Sequence, residues 1–368
     1  MADSQGKLRA EGTRRLQSPA ASFIVGLCAG LIVAQLGYVA WHAGSSSSSS
    51  GSLRTRSLAA ASSNSISSTG AANSIDVSLS PLAQVLQEVA PGKEVLVAIS
   101  NFRLVEGRML PMWLETVKQA QVSNYVVVAL DEQLRDWCKA NNFNYFFKPL
   151  QISKAQQGTG DNHGISALKF KILEEFLKLG WSVLLSDVDV AVLQNPFEHL
   201  YRDHDVEGMS DGFDAPTAYG HGNGIDDPSM GWSRYAQGTT HMHMNSGLFY
   251  LRANLYTVNL MRRIAARLEK EKSWDQSVYN EEMFFLSHGD YVAPNVDVRV
   301  MDIFQFMNTK ILFKVWRHLP KAQQKMPVMV HINYHPDKEA RLRAVIDYFL
   351  HDDKGALAKF PSGSEPGS

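Results

Sequence analysis

The hydrophobic pattern of the chain begins with an uninterrupted apolar run at residues 20–41. This segment of about 22 residues contains no charged side chain, and a helix rising about 1.5 Å per residue would span the hydrocarbon core of a membrane over that length. The run is longer than the apolar part of a cleaved signal peptide, which is the alternative interpretation. Tyr38 and Trp41 stand near its end, where interfacial aromatic residues are expected. The pattern therefore predicts a transmembrane signal anchor.

Basic residues are distributed unequally on the two sides of this run. Lys and Arg precede it, whereas none follows until Arg54. Because positive charge favours the cytosolic side of a membrane, residues 1–19 are predicted to form a cytosolic tail and the body of the chain to be luminal. Residues 42–80 are rich in Ser, Ala, Gly and Asn and are predicted to form a disordered stalk. Residues 361–368 have a similar composition and are predicted to form a disordered tail.

Between residues 81 and 360, short β-branched runs alternate with helical patterns. This alternation is typical of an α/β domain with a mainly parallel sheet. Apolar stripes at residues 168–177 and 260–268 predict two helices. The first is expected to end with Gly180 as its C-cap. The strand candidates are residues 95–99, 125–130, 145–147, 183–186, 247–251 and 328–332.

Composition excludes several classes of protein. Hydrophobic residues make up 45% of the chain and charged residues 20%, so wholesale disorder is excluded. The formal net charge of -1 provides no general positive field, and a nucleic-acid partner is not predicted. The chain has two cysteines, Cys28 inside the apolar run and Cys138 in the body. The body is therefore expected to contain neither an internal disulfide nor a zinc–cysteine cluster.

Candidate chemistry concentrates at Asp187 and Asp189, which directly follow a strongly apolar strand candidate. An Asp-x-Asp on an extended chain points both carboxylates to one side, and the carboxyl end of a parallel strand opens into the ligand crevice of an α/β sheet. A divalent cation such as Mn²⁺ or Mg²⁺ would relieve their repulsion and bridge a nucleotide diphosphate. Haloacid-dehalogenase-type phosphatases also place two Asp residues after a strand. They use the first strand of the domain, whereas several strand candidates precede this pair.

Six blocks of sequence extend this picture: SALKFKILEEFL, LLSDVDVAVLQNPFEHLYRDHDVEGMSDG, NSGLFYLR, WDQSVYNEEMF, RVMDIFQFMN and HINYHPDK. In this order they resemble the nucleotide-diphospho-sugar transferases of glycosyltransferase family 77, and within it the extensin-type hydroxyproline arabinosyltransferases of plant cell walls. The resemblance covers about residues 95–360. It implies a GT-A (Rossmann-like) fold, a retaining reaction, a UDP-sugar donor and a single-pass type II Golgi membrane protein.

The resemblance also implies a role for individual residues around the diphosphate. Asp187 and Asp189 match the metal-binding Asp-x-Asp, and His331 matches a late histidine that completes the metal shell, a ligand set that suits Mn²⁺. Lys338 stands where a cation would meet the leaving phosphate. Lys169 resembles a donor-contacting basic residue. For both lysines, an exposed position without a ligand is the alternative.

The same resemblance places further residues around the sugar. Asn245 and Ser246 would contact the donor sugar, and Asp275 and Gln276 would lie against its reactive face. Asp275 would either stabilise the reacting sugar or act as a covalent nucleophile. Both alternatives, front-face and double displacement, stay open in the sequence.

Four remaining features are assigned less directly. Asp211 is a candidate for binding sugar hydroxyls, and Asn101 for contacting the nucleobase or ribose, with a plain turn asparagine as its alternative. His241 and His243 depart from the family pattern, and either line the acceptor groove or bind a metal. The glycine-rich segment 220–224 is interpreted as a mobile acceptor loop.

Together these observations predict a metal-dependent transferase that moves L-arabinofuranose from UDP to a hydroxyproline-linked arabinoside of an extensin-type cell-wall glycoprotein. A related UDP-xylose or UDP-galactose transferase is the alternative within the enzyme class. A non-catalytic, donor-binding scaffold in a Golgi complex is the alternative outside it. The sequence is compatible with a complex of Golgi glycosyltransferases in either case.

Overall fold

The computed structural model of this 368-residue chain describes residues 80–151, 154–156, 161–219, 244–284 and 295–362. The predicted anchor, all but the last residue of the stalk, and most of the C-terminal tail lie outside these residues. Within the described part, no helix combines the length and hydrophobicity that a membrane crossing requires.

Two sheets organise the described residues. The larger has seven strands in the order β3-β2-β1-β4-β7-β6-β8, and the smaller has three in the order β5-β10-β9. The strands are β1 Glu94–Ser100, β2 Tyr125–Ala129, β3 Tyr145–Phe147, β4 Ser182–Ser186, β5 Val190–Val192, β6 Val206–Ser210, β7 Met244–Leu251, β8 Val298–Val300, β9 Phe306–Asn308 and β10 Met329–His331.

The large sheet is mainly parallel, as the sequence pattern predicts. Strands β1, β2, β3 and β4 run in one direction, and so do β6 and β8. Only β7 is antiparallel to its neighbours β4 and β6. The carboxyl ends of β1, β4 and β6 therefore lie at one edge of the sheet, together with the amino end of β7. We call this the carboxyl edge.

The small sheet joins this edge to the end of the chain. Strand β5 follows the acidic pair directly, and β10 pairs with it in antiparallel register so that His331 lies opposite Val190. The backbone N–H of Ile332 donates to the carbonyl of Asp189 at 2.8 Å. Strand β9 pairs in parallel with β10. This pairing brings the end of β10 against Asp189.

Helices cover the sheets. Their bounds are α1 Pro81–Val89, α2 Arg103–Glu106, α3 Met109–Gln119, α4 Glu132–Ala140, α5 Asp161–Lys178, α6 Ala215–Tyr219, α7 Leu255–Leu268, α8 Asp275–Phe284 and α9 Lys338–Phe349. Both helices predicted from apolar stripes are confirmed, as parts of α5 and α7. Gly180 follows α5 with a φ of 84°, the left-handed conformation typical of a glycine that terminates a helix.

The six strand candidates are all present, but four strands were not among them. The missed strands are β5, β6, β8 and β9, each only three to five residues long. Strands β6 and β8 carry the charged residues Glu207 and Arg299, which are nevertheless buried. The Glu207 carboxylate accepts the backbone N–H groups of Tyr201 and Arg202. Local hydrophobic pattern misses β6 and β8 because a charged residue occupies a buried position in each, and its hydrogen-bond partners lie outside the strand.

Aromatic side chains fill the core between the large sheet and helices α5 and α8. Phe170, Phe249 and Tyr279 pack with ring centroids 4.8–6.4 Å apart, and all three are fully buried. On the other side, Trp113 of α3 is buried and donates its indole N–H to the Ser186 hydroxyl at 3.0 Å. Because Ser186 ends β4, this bond fixes the strand immediately before the acidic pair.

The hydroxyl of Tyr279 is buried, and among the described residues it has no hydrogen-bond partner. Because an unpaired buried hydroxyl costs about 1–3 kcal/mol, Tyr279→Phe is expected to raise the free energy of unfolding by about 1 kcal/mol in chemical denaturation. The control is Tyr250→Phe, since the Tyr250 hydroxyl donates to Glu94 at 2.7 Å. That variant is expected to lose about 1–2 kcal/mol. Equal destabilisation by both substitutions would contradict this account.

Candidate active site

The acidic pair lies in the turn between β4 and β5, at the carboxyl edge. The backbone N–H of Asp187 donates to the carbonyl of Gly247 on β7 at 2.7 Å. Asp189 is buried, with 6% of its surface exposed. The sheet thus holds both carboxylates where the sequence places them, at the end of a buried strand.

His331 completes a cluster with the two aspartates. Its Nε2 lies 3.1 Å from Asp189 Oδ1, and one ligand atom from each of the three side chains lies within 4.8 Å of the other two. A Cβ atom on Gly247 would lie 2.4 Å from Asp187 Oδ2 and 2.7 Å from His331 Cε1. The absence of a side chain at Gly247 therefore leaves space between these groups. Two carboxylates and one imidazole in this arrangement fit a divalent cation such as Mn²⁺.

Electrostatics around the pair are unequal. Burial raises the pKa of Asp187, against the attraction of Lys169. Although burial acts in the same sense on Asp189, the charges of His331 and Lys338 hold the pKa of that carboxyl below its ordinary value. Asp189 in turn raises the pKa of His331 despite the burial of the imidazole. Asp189 is therefore ionised and paired, whereas Asp187 has less compensation from nearby positive charge.

Two lysines approach the cluster from different helices. Lys338 begins α9, and its Nζ lies 2.6 Å from Asp189 Oδ2 while its side chain stays 44% exposed. Lys169 of α5 is buried and pairs with Asp275 Oδ2 at 2.7 Å. Burial alone would lower the pKa of Lys169, but the nearby carboxylates of Asp275 and Asp187 raise it. Neither lysine is an unpaired surface residue.

A second polar cluster centres on the buried carboxylate of Asp211, just after β6. Asp211 Oδ1 accepts the side-chain amides of Asn245 and Asn333, each at 2.9 Å, and Oδ2 accepts that of Gln276 at 2.8 Å. The Ser246 hydroxyl donates to Asp275 Oδ2 at 2.9 Å. The residues predicted around the sugar therefore form one connected network.

Three of the predicted features are not part of either cluster as the structure describes them. Asn101 follows β1 at the carboxyl edge and has a buried Oδ1 without a hydrogen-bond partner in the described part of the chain. Nothing described there bonds Asn101 to either cluster. His241, His243 and the segment 220–224 lie outside the described residues.

Sequence reasoning missed residues that support the site from the ends of β9 and β10 and the positions just after them. Asn333 bonds Asp211, and the Thr309 hydroxyl lies 3.1 Å from the His331 carbonyl and 2.9 Å from that of Asn333. The Asn308 side chain donates to the carbonyls of Ser210 and Gly212. Asn333 follows His331 by two positions, and the alternation of an extended chain was a signal for it.

Residues 120–344 match the family model of the nucleotide-diphospho-sugar transferases. The chain belongs to this family. The predicted resemblance is confirmed. Among curated relatives, arabinosyltransferase RRA2 of Arabidopsis thaliana is 44% identical over 292 residues, which cover 79% of this chain and 68% of the relative. Arabinosyltransferase RRA1 of the same plant is 41% identical over 291 residues, 78% of this chain and 72% of the relative.

Among solved structures, that of galactosyltransferase LgtC in complex with donor and acceptor sugar analogues is also similar to this sugar transferase. It aligns with a TM-score of 0.44 and 14% sequence identity, covering 71% of this chain and 99% of LgtC.

In this nucleotide-diphospho-sugar transferase, three consecutive residues at the start of β7 connect the two clusters. Asn245 bonds Asp211 and Ser246 bonds Asp275, while Gly247 lies against Asp187. One side of the site thus combines carboxylates, an imidazole and lysines, which suit a metal-bound diphosphate. The other side offers amide, hydroxyl and carboxylate groups, which suit the hydroxyls of a sugar.

Substitution of Gly247 tests whether the three-residue cluster holds a cation. Gly247→Ala is expected to push Asp187 and His331 apart and to weaken Mn²⁺ binding by about 10- to 100-fold in calorimetric titration. The matched control is Gly92→Ala, because a Cβ there would meet nothing within 4 Å. Unchanged Mn²⁺ affinity in Gly247→Ala would contradict the assignment.

Proposed function

We propose that this chain is a metal-dependent, retaining glycosyltransferase of GT-A type that transfers L-arabinofuranose from UDP to hydroxyproline-linked arabinosides of cell-wall glycoproteins. The observation that carries the proposal is the Asp187–Asp189–His331 cluster beside the Asp211 and Asp275 network. The arabinosyl group and the glycoprotein acceptor are supported by the resemblance to extensin arabinosyltransferases and by relatives named arabinosyltransferases at 41–44% identity.

The side chains of the cluster would have separate roles toward the donor diphosphate. A bound divalent cation would neutralise charge on the diphosphate as UDP departs. Asp187, Asp189 and His331 would hold that cation. Lys338 pairs with Asp189 through a half-exposed side chain, so its ammonium group can turn from the carboxylate to a phosphate oxygen. Its positive charge would then stabilise the leaving diphosphate.

The contacts of Asp275 favour front-face displacement over covalent attack by its Oδ2. Its Oδ2 already receives the Lys169 ammonium group and the Ser246 hydroxyl, and both contacts reduce the nucleophilicity of a carboxylate oxygen. In the proposed mechanism Asp275 stabilises positive charge on the sugar through space. The acceptor hydroxyl attacks the anomeric carbon on the face from which UDP leaves. Its proton passes to the departing diphosphate.

We further propose the topology that the sequence pattern predicts. Residues 20–41 would anchor the protein in the Golgi membrane, and the stalk 42–80 would hold the transferase domain in the lumen. The support is the uncharged apolar run and the excess of Lys and Arg before it. This arrangement would place the site in the compartment where secreted glycoproteins are modified.

The donor is tested by UDP release from the full chain with Mn²⁺, an arabinosylated hydroxyproline peptide and a panel of UDP-sugars. Release is expected only with UDP-L-arabinofuranose, and NMR of the product is expected to show the donor's anomeric configuration. Release with UDP-xylose or UDP-galactose would replace the donor. UDP binding without release from any donor would favour the non-catalytic scaffold.

The metal role is tested by Asp187→Asn and Asp189→Asn. Each is expected to reduce kcat/KM by about a thousandfold, because each removes a carboxylate that balances the cation and fixes its position. Chelation of metal from the wild-type protein is expected to produce a similar loss, reversed by added Mn²⁺. The control is Asp136→Asn, since Asp136 is exposed and pairs with Arg135 on α4. Wild-type rates in the first two variants would exclude the metal role.

A further inference from the structure

Three large aromatic side chains are exposed next to the candidate active site. Phe213 is 41% exposed, Trp274 50% and Tyr334 45%. Phe213 follows Asp211 by two residues, and Trp274 directly precedes Asp275. Because consecutive Cα atoms are 3.8 Å apart, the Cα atom of each of these two residues lies within about 8 Å of the Cα atom of a site residue.

The three segments that carry these rings meet at one polar centre. Asp211 accepts side-chain amides from Gln276, two residues after Trp274, and from Asn333, which directly precedes Tyr334. The segments that carry the aromatic residues therefore meet at the Asp211 carboxylate. Exposed aromatic side chains also occur away from the site. Tyr201 precedes β6 and Tyr256 follows β7, so both lie at the opposite edge of the large sheet.

Tyr334 is held at this position against a local cost. Its φ of 65° is left-handed, a conformation that costs a non-glycine residue about 1 kcal/mol or more and is retained where surrounding contacts impose it. Burial and the nearby Asp211 carboxylate raise the pKa of its hydroxyl. Lys310 Nζ lies 4.5 Å from the centroid of its ring. The ring is thus fixed at the rim of the site although nearly half of it is exposed.

We propose that Phe213, Trp274 and Tyr334 form an acceptor platform, on which the sugar rings of the acceptor arabinoside stack beside the donor. The proposal rests on the proposed function. A sugar ring has an apolar face of C–H groups and an edge of hydroxyls, and it fits a surface where aromatic faces adjoin carboxylate and amide groups. The diphosphate, in contrast, is served by the charges of Lys338 and the acidic pair. We therefore assign the aromatic rings to the uncharged acceptor arabinoside.

Kinetics of the full chain test the platform. Trp274→Ala and Tyr334→Ala are each expected to raise the acceptor KM about tenfold, equivalent to about 1.4 kcal/mol, with an unchanged KM for the UDP-sugar. Trp274→Phe and Tyr334→Phe keep an aromatic face and are expected to stay within about threefold of the wild type, a difference below 1 kcal/mol. Tyr256→Ala, at the opposite edge, is the matched control.

A binding experiment separates this proposal from the proposed function. Arabino-oligosaccharide is titrated onto the full chain with UDP and Mn²⁺ present, and contact is followed by saturation-transfer NMR. Binding by the wild type that is lost in Trp274→Ala and Tyr334→Ala would support the platform even when no donor is turned over. No saccharide binding by the wild type, an acceptor KM unchanged in both alanine variants, or a parallel rise in donor KM would overturn it.

Discussion

The repulsion between two carboxylates at the end of a buried strand is the constraint around which this molecule is arranged. Asp189 is buried and Asp187 is half-buried beside it, and charge withdrawn from water there needs a partner. The partners come from three distant segments: His331 from β10, Lys338 from α9 and Lys169 from α5. The small sheet and the final helix thus stabilise a site that β4 could not support alone.

Local pattern predicted six strands well, and it missed the short strands β5 and β9 as well as two strands that carry buried charges. Strands β1, β2, β3 and β4 have hydrophobic runs that specify them within a residue. Strands β6 and β8 do not, because Glu207 and Arg299 occupy buried positions, and their partners, the Tyr201 backbone and Asp203, lie outside these strands. Information of this kind is tertiary, and one sequence does not expose it.

The candidate site shows the same division. The acidic pair was visible from physical reasoning, since carboxylates after a buried strand require compensation. The resemblance, not spacing, supplied His331, Lys338 and Asp275. The pairing of β10 with β5 brings His331 to Asp189, whereas Asp275 joins the site through Lys169 and Ser246. Asn333 escaped both approaches. The structure also refines Asp211, whose two oxygens already accept three amides and therefore organise the polar network.

The antiparallel insertion of β7 has a consequence for how the site is completed during folding. Asn245, Ser246 and Gly247 each contact a different part of the site, and side chains alternate between faces along a strand. A slip of one residue against β4 would exchange those faces and place a side chain where Gly247 leaves space. The transferase therefore gains its binding geometry only after β7 has reached its final register between β4 and β6. A competent binding site thus indicates that the sheet has paired correctly.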